Sequence, residues 1–295
     1  MDCYECVTGL GPLMQATGSR EGDRYMGAEA PAVSSRSTQP SLARSLVFNA
    51  VGLVGLWFLY SAVRTITANS FGVARDNADR LIAFQDRIGL PSEAILQSSL
   101  VDYEWLLKGA NVYYFAAHFP SMLLFLLWGL FLKRTAMPRV RWALIGSTAV
   151  GLVIHLAFPL APPRMLNLAG FVDTARIFGP DPYALGIAKA ANEFAAMPSM
   201  HVGWALLVAV AVVSLATSRW RWLVVVHPIV TTLVVVVTAN HYWTDVVAGA
   251  VLVSLGWWLA GMVRPVFPVD AELDLLADDV VIDLVSDTQD EIVLS

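Results

Sequence analysis

Three short strings in the second half of the chain carry residues that could do chemistry together. They are Ala161-Pro162-Pro163-Arg164, Met197-Pro198-Ser199-Met200-His201 and His241-Tyr242-Trp243-Thr244-Asp245. One guanidinium, two imidazoles and one carboxylate are the parts needed to grip a phosphate and move it through a phosphohistidine. Arg164 offers a planar, permanently charged fork that fits phosphate oxygens, and the two prolines before it stiffen its approach. Ser199 is a good N-cap behind Pro198, which places Met200 and His201 in the first turn of a helix. The N–H groups of Ser199, Met200 and His201 would then form an anion site beside the imidazole. His201 could protonate a departing alkoxide and later deprotonate an incoming hydroxyl. His241 and Asp245 are four residues apart, which on a helix puts both on one face, about 6 Å apart along the axis. A carboxylate there would fix the tautomer of His241 and leave its other nitrogen as a nucleophile. A satisfied polar pair pinning two helices is the competing reading of that string.

Each string sits where an apolar run meets a loop, so the runs must position them. The 295-residue chain is 57% hydrophobic and 15% charged, well below the quarter usual for soluble domains, and its mean hydropathy is +0.60. Six runs approach the roughly 17–25 apolar residues of a spanning helix: Leu46–Val63, Val112–Leu132, Trp142–Leu160, Val202–Thr217, Trp222–Thr238 and Val246–Val263. The expected fold is therefore all-α, a polytopic membrane bundle of six transmembrane helices. Residues 1–40 read as a disordered extension without a signal-peptide h-region, 41–265 as the membrane domain, and 266–295 as an acidic, disordered tail. From Pro265 to Ser295 there are nine acidic residues and no basic ones, so the formal net charge of −5 hides a basic remainder of 19 Lys and Arg against 15 Asp and Glu. Cys3 and Cys6 form a lone pair without metal-site context.

Basic residues set the orientation. Lys133, Arg134, Arg139 and Arg141 follow the second run, Arg219 and Arg221 precede the fifth, and Arg264 follows the sixth. With six crossings all of these share one side with both termini, which is then cytoplasmic. The three strings share the other, extracytoplasmic side of the cell membrane. Phe71–Leu90 shows helical spacing of apolar residues among charges and is too polar to span. It is expected to lie at the outer interface or over the site, with a second short amphipathic piece opening at Pro91.

The ordered set Arg164, Pro-Ser-x-His (Pro198–His201) and His-x-x-x-Asp (His241–Asp245) resembles the three motifs of the type 2 phosphatidic acid phosphatase superfamily. Ala-Pro-Pro-Arg with His-Tyr-x-x-Asp is similar to its inositol phosphorylceramide synthase-like, or inositolphosphotransferase, branch. The resemblance covers about Leu42 to Arg264. It implies a six-helix membrane enzyme with no metal or other cofactor. It also implies that His241 attacks phosphorus, Asp245 supports it, His201 serves as acid and base, and Arg164 binds phosphate. Membrane lipids are the expected partners, with a phospholipid or polyol phosphate as substrate and no nucleic acid. The chain departs from the superfamily pattern at Ala157, where a lysine is usual, at Val234-Val235, where Ser-Arg is usual, and at Met200, where glycine is usual. Losing two cations favours a phosphodiester over a more highly charged monoester; Arg176 and Lys189 are the cations left to compensate. His118, His155 and His227 lie within runs and read as structural. The rival function is a transporter or non-catalytic membrane protein that retains the fold.

Overall fold

A computed structural model describes residues 42–132, 136–166, 170–180 and 192–262. The N-terminal extension with Cys3 and Cys6, the acidic tail, Lys133, Arg134, Lys189 and Arg264 lie outside the described residues.

Among the described residues the chain is helical, with no β-strand. Helix α1 (Leu42–Thr67) is followed by α2 (Phe71–Arg87), α3 (Glu93–Ser98), α4 (Glu104–Ala116), α5 (His118–Leu132) and α6 (Met137–Ala157). Then come α7 (Thr174–Phe178), α8 (Met200–Leu215), α9 (Val226–Val237) and α10 (Trp243–Met262). Four segments are long and apolar enough to cross a membrane: Asn49–Thr67, Met137–Ala157, Arg219–Val237 and Trp243–Met262. A fifth arises if Glu104–Ala116 and Pro120–Leu132, bent by 42° to one another, act as one span. Met200–Leu215 is apolar but shorter. Each of the six expected runs thus maps onto a helical segment. The second is broken in two, and the fifth enters through a 3-10 stretch, Arg219–Val225, ahead of Pro228, whose missing N–H makes it tolerable only near a helix start.

The bundle core joins α5, α6, α8 and α10 through Met122, Phe125, Met137, Val140, Ala143, Leu144, Leu207, Val208, Ala211 and Val253. Such a core in lipid depends on close packing rather than on hydrophobic transfer. Close packing is visible where α10 crosses α8. A Cβ on Gly249 would overlap the carbonyl oxygen of Ser199, and one on Gly203 would stand 3.2 Å from the Gly249 carbonyl oxygen.

Helices α6 and α10 run antiparallel. Arg139, at the head of α6, donates from Nη2 to the Trp257 carbonyl late in α10 at 3.2 Å and lies over the Trp257 ring. The tail of α6 and the head of α10 therefore meet at the opposite end of the bundle, where the strings are.

Helix α2 is built into that end rather than laid loosely on it. Its buried residues Ala74, Asn77, Ala78, Leu81 and Gln85 follow the three-to-four spacing of one helical face. Ala74, Ala78 and Leu81 pack with Leu160, Ala161, Phe194, Ala196 and Tyr242. The Asn77 amide donates to the Pro159 carbonyl at 2.9 Å, and the Ala161 N–H donates to the Ala74 carbonyl at 3.1 Å.

Candidate active site

The three strings are tied together by backbone bonds in and beside them. Leu160 N–H donates to Phe194 O at 2.8 Å, and Ala196 N–H returns to Leu160 O at 3.3 Å. Arg164 N–H donates to Ala239 O and Ser199 N–H to Asp245 O, both at 2.9 Å. The buried Tyr242 hydroxyl donates to Ala161 O at 3.0 Å. Burial and nearby carboxylates push the Tyr242 phenol well above its ordinary range, so it remains a donor.

Within this knot the rings of His201 and His241 lie 5.7 Å apart, centroid to centroid. The Arg164 Nε donates to the Asn240 side-chain oxygen at 2.9 Å, which docks the guanidinium against the residue preceding His241. The Asn240 amide is itself fixed on the Thr238 hydroxyl at 2.8 Å. Arg164, His201, His241 and Asp245 are thus gathered at one end of the bundle.

Three details differ from the sequence expectation. His241 is not on a helix, because α10 starts at Trp243. Its Nδ1 meets the Ala196 carbonyl at 2.8 Å and stands 3.5 Å from the Asp245 carboxylate. A carbonyl can only accept, so Nδ1 carries the hydrogen and Nε2 keeps the lone pair. A carboxylate does stand beside Nδ1, but the nearer acceptor is a backbone carbonyl just ahead of the second string. Asp245 instead accepts the Tyr242 N–H at 2.9 Å, capping the first turn of its own helix.

The second difference concerns Ser199. Its hydroxyl caps α8 by accepting from Val202 N–H, as expected. Its own N–H is engaged by Asp245 O because α10 approaches so closely at Gly249. The Ser199 N–H is thereby withdrawn from the anion site expected at this helix start. The third difference is Met200. A Cβ on Gly151 would lie 2.8 Å from the Met200 sulfur, so this side chain packs across α6 where that helix has no side chain of its own.

Burial pushes the His241 imidazole down to about 4, and the Arg164 charge adds to the effect against the opposing Ala196 hydrogen bond. The ring is therefore neutral near pH 7. Val235, at the position where arginine is usual, is fully buried. Arg176 is exposed in the last turn of α7. His155 bonds the Pro198 carbonyl at 3.3 Å. His227 joins α4, α5 and α9 through Tyr113 Oη at 2.7 Å and Ser121 Oγ at 3.3 Å.

Sequence reasoning missed the residues that hold the head of α10. Glu93 is buried and accepts from Gln85 Nε2 and from Trp243 N–H, each at 2.9 Å. Gln85 Oε1 accepts from Thr244 N–H at 3.0 Å. Gln97 donates to the Val237 and Val172 carbonyls at 2.9 and 3.0 Å. No motif marks these residues; a carboxylate in a polar outer segment reads as solvated. Glu93→Ala leaves the Trp243 N–H and the Gln85 amide without their acceptor and should cost about 1–3 kcal/mol. A thermal-unfolding scan of the detergent-solubilised chain, set against the wild type, checks it.

A family model described as the PAP2 superfamily matches residues 79–259, more than half of the chain. The chain belongs to the PAP2 superfamily. That superfamily includes phosphatases and phosphotransferases, and the apolar helices of this chain are those of a membrane protein. The inositol phosphorylceramide synthase catalytic subunit aur1 of Schizosaccharomyces pombe is 29% identical over 128 residues. That match covers 39% of this chain and 30% of the yeast protein, so the chain spans about a third of the length of this relative. No solved structure gives a significant match.

Proposed function

We propose that this PAP2 protein is an integral membrane lipid phosphotransferase or phosphatase that works through a phosphohistidine at His241. The observation that carries the proposal is the 5.7 Å approach of the His201 and His241 rings with Arg164 docked on the neighbouring Asn240.

In this reading Arg164 and the N–H groups of Met200 and His201 hold the non-bridging oxygens, with Ser199 capping the turn that presents them. The lone pair on His241 Nε2 forms a bond to phosphorus while the bond to the leaving alkoxide breaks in line. His201 gives that alkoxide its proton. Asp245, beside Nδ1, balances the charge that appears on the phosphorylated ring. The neutral His201 then takes a proton from an incoming hydroxyl, whose oxygen displaces Nε2 from phosphorus. Positioning and charge stabilisation supply most of such catalysis. The incoming hydroxyl, from water, a lipid or a polyol, decides between hydrolase and transferase.

A single motif cation supports a phosphodiester donor, which brings one negative charge where a monoester brings up to two. The relative named as an inositol phosphorylceramide synthase supports transfer of a phospho-headgroup to a lipid hydroxyl. Six crossings of the cell membrane, both termini cytoplasmic and the site outside, complete the reading. The position of Arg139 at the end of the bundle away from the strings supports that orientation.

The test is turnover in vesicles of fluorescent phosphatidylinositol with ceramide, against fluorescent phosphatidic acid. Turnover lost in both His241→Ala and His201→Ala supports the reading, and unchanged turnover in the double variant overturns it. Because burial and Arg164 together hold His241 neutral down to about pH 4, Arg164→Gln eases its protonation. The acidic limb of the pH–rate profile should then move upward, and turnover should fall by about 10²–10³. Rates measured between pH 4 and 8 give both quantities.

A further inference from the structure

Tyr114 lies on α4, away from all three motif strings in the sequence. Its ring stacks on His201 with centroids 4.5 Å apart and planes at 26°. His241 meets the same imidazole at 5.7 Å and 59°, so His201 has both rings as neighbours. Tyr114 also packs with Leu96 and Trp243 against Val202, Val235, Val236 and Val246. That wedges it among the head of α8, the tail of α9 and the head of α10. The preceding residue fixes the rotation of α4: Tyr113 Oη reaches His227 Nδ1 at 2.7 Å and Thr231 Oγ1 at 3.1 Å on α9.

The location makes this stack consequential. The first turn of a helix carries positive potential, which favours anions and opposes an imidazolium. An aromatic face carries the negative part of a quadrupole and attracts a cation within about 6 Å of its centroid. His241, before α10, meets the His201 ring; the other titratable and charged groups at this end of the bundle are Arg164 after α6, His155 within α6, Asp245 on α10 and Glu93, which holds the head of α10. Asp245 is turned to the Tyr242 N–H and His241. From α4 the contribution is the π face.

We propose that Tyr114 is a positioning residue for His201, holding the imidazole by its ring face and supporting its protonated form; this rests on the acid–base reading of His201 given above. The function assigned to it is that of the ring face.

The experiment compares Tyr114→Leu and Tyr114→Phe in the full chain, in detergent micelles, on two probes. Fluorescent phosphatidylinositol has an alkoxide leaving group that needs a proton. A p-nitrophenyl phosphodiester has one that does not. With the lipid, Tyr114→Leu should lower kcat about tenfold at nearly constant KM and move the basic limb of the pH profile down by about half to one pH unit. With the aryl ester it should change kcat by less than about twofold, and Tyr114→Phe should match the wild type on both probes. Equal losses on both probes, a wild-type pH profile in Tyr114→Leu, or a Tyr114→Phe as impaired as Tyr114→Leu would each overturn the inference. Tyr114→Met keeps most of the volume without a π face and gives the same readout if the leucine variant does not fold. His201→Ala on the same probes separates the two levels. If it fails to distinguish the probes in the rate at which the phosphoprotein adduct forms, the acid–base role of His201 is wrong. If it distinguishes them and Tyr114→Leu does not, the role of Tyr114 is wrong.

Discussion

Wild-type protein mixed with a phosphorus-labelled phospholipid and quenched in base should yield a phosphoprotein that is stable to alkali and lost in acid, and His241→Ala should yield none. The expectation follows from the nitrogen that is left with its lone pair. Nδ1 donates to the Ala196 carbonyl at 2.8 Å, so a bond to phosphorus forms at Nε2, and the adduct is a phosphoramidate. Steady-state turnover should fall about 10⁴-fold or more, as expected when a nucleophile is removed from a unit that acts together. His201→Ala should fall less, about 10²–10⁴-fold, because it loses proton transfer and keeps the nucleophile. With an aryl phosphodiester, whose leaving group needs no proton, His201→Ala should still form the adduct and release it slowly. Labelled protein therefore accumulates in that variant beyond the wild-type level. Label retained in His241→Ala at wild-type stoichiometry would remove His241 from the chemistry and leave the knot of strings as a structural device.

The second large effect is expected from one methyl group. Gly249 faces the backbone of Ser199, where an added Cβ would overlap the carbonyl oxygen and stand 2.9 Å from the carbonyl carbon. Backbone cannot turn aside as a side chain can. The same turn carries the Ser199 N–H bond to Asp245 O, the cap of α8 and, two residues on, His201. Gly249→Ala must push α8 and α10 apart or rotate one of them. Overpacking of this kind costs about 1–3 kcal/mol, and a displacement of about 1 Å at a reacting group can cost 10²-fold in rate. We expect turnover down by about 10²-fold or more and a lower unfolding midpoint. Gly146→Ala is the control, since a Cβ on Gly146 meets nothing within 4 Å. There the helix should gain about 0.5–1 kcal/mol from the change while activity is kept. Equal activity in the two variants would show that the Ser199 turn tolerates movement and that His201 is not held as closely as the packing implies.

The two effects sit at different distances from the chemistry but share a cause. Buried groups at the string end of the bundle are fastened by backbone carbonyls and N–H groups in or beside the other strings. Ala196 O holds His241, Asp245 O holds Ser199 N–H, and Ala239 O holds Arg164 N–H. Moving any one string therefore moves a partner on the next. This is also why Glu93 and Gln85 are expected to matter. They satisfy the free N–H groups at the head of α10 that would otherwise be left in a poorly hydrated place.

The amino-acid sequence alone was enough for the apolar runs, the order of the three strings, the cap at Ser199 and the shared end on which the strings lie. Those properties are local: run length, a proline before a serine, and an alternation of basic loops. The break in the second run and the 3-10 entry to the fifth depend on packing between neighbours, and periodicity does not report them. The spacing offers Asp245 as the partner of His241, and the carboxylate does stand 3.5 Å from Nδ1, but it is not the nearest acceptor. A spacing of four suggests a helix face, but the chain enters α10 only at Trp243, and the nearest acceptor is a carbonyl forty-five residues away. Glu93, Gln97, Tyr114 and Ala196 could not be singled out in advance. Their side chains or carbonyls acquire meaning only through contacts between distant segments, and nothing in residue type or spacing encodes which distant segments will meet.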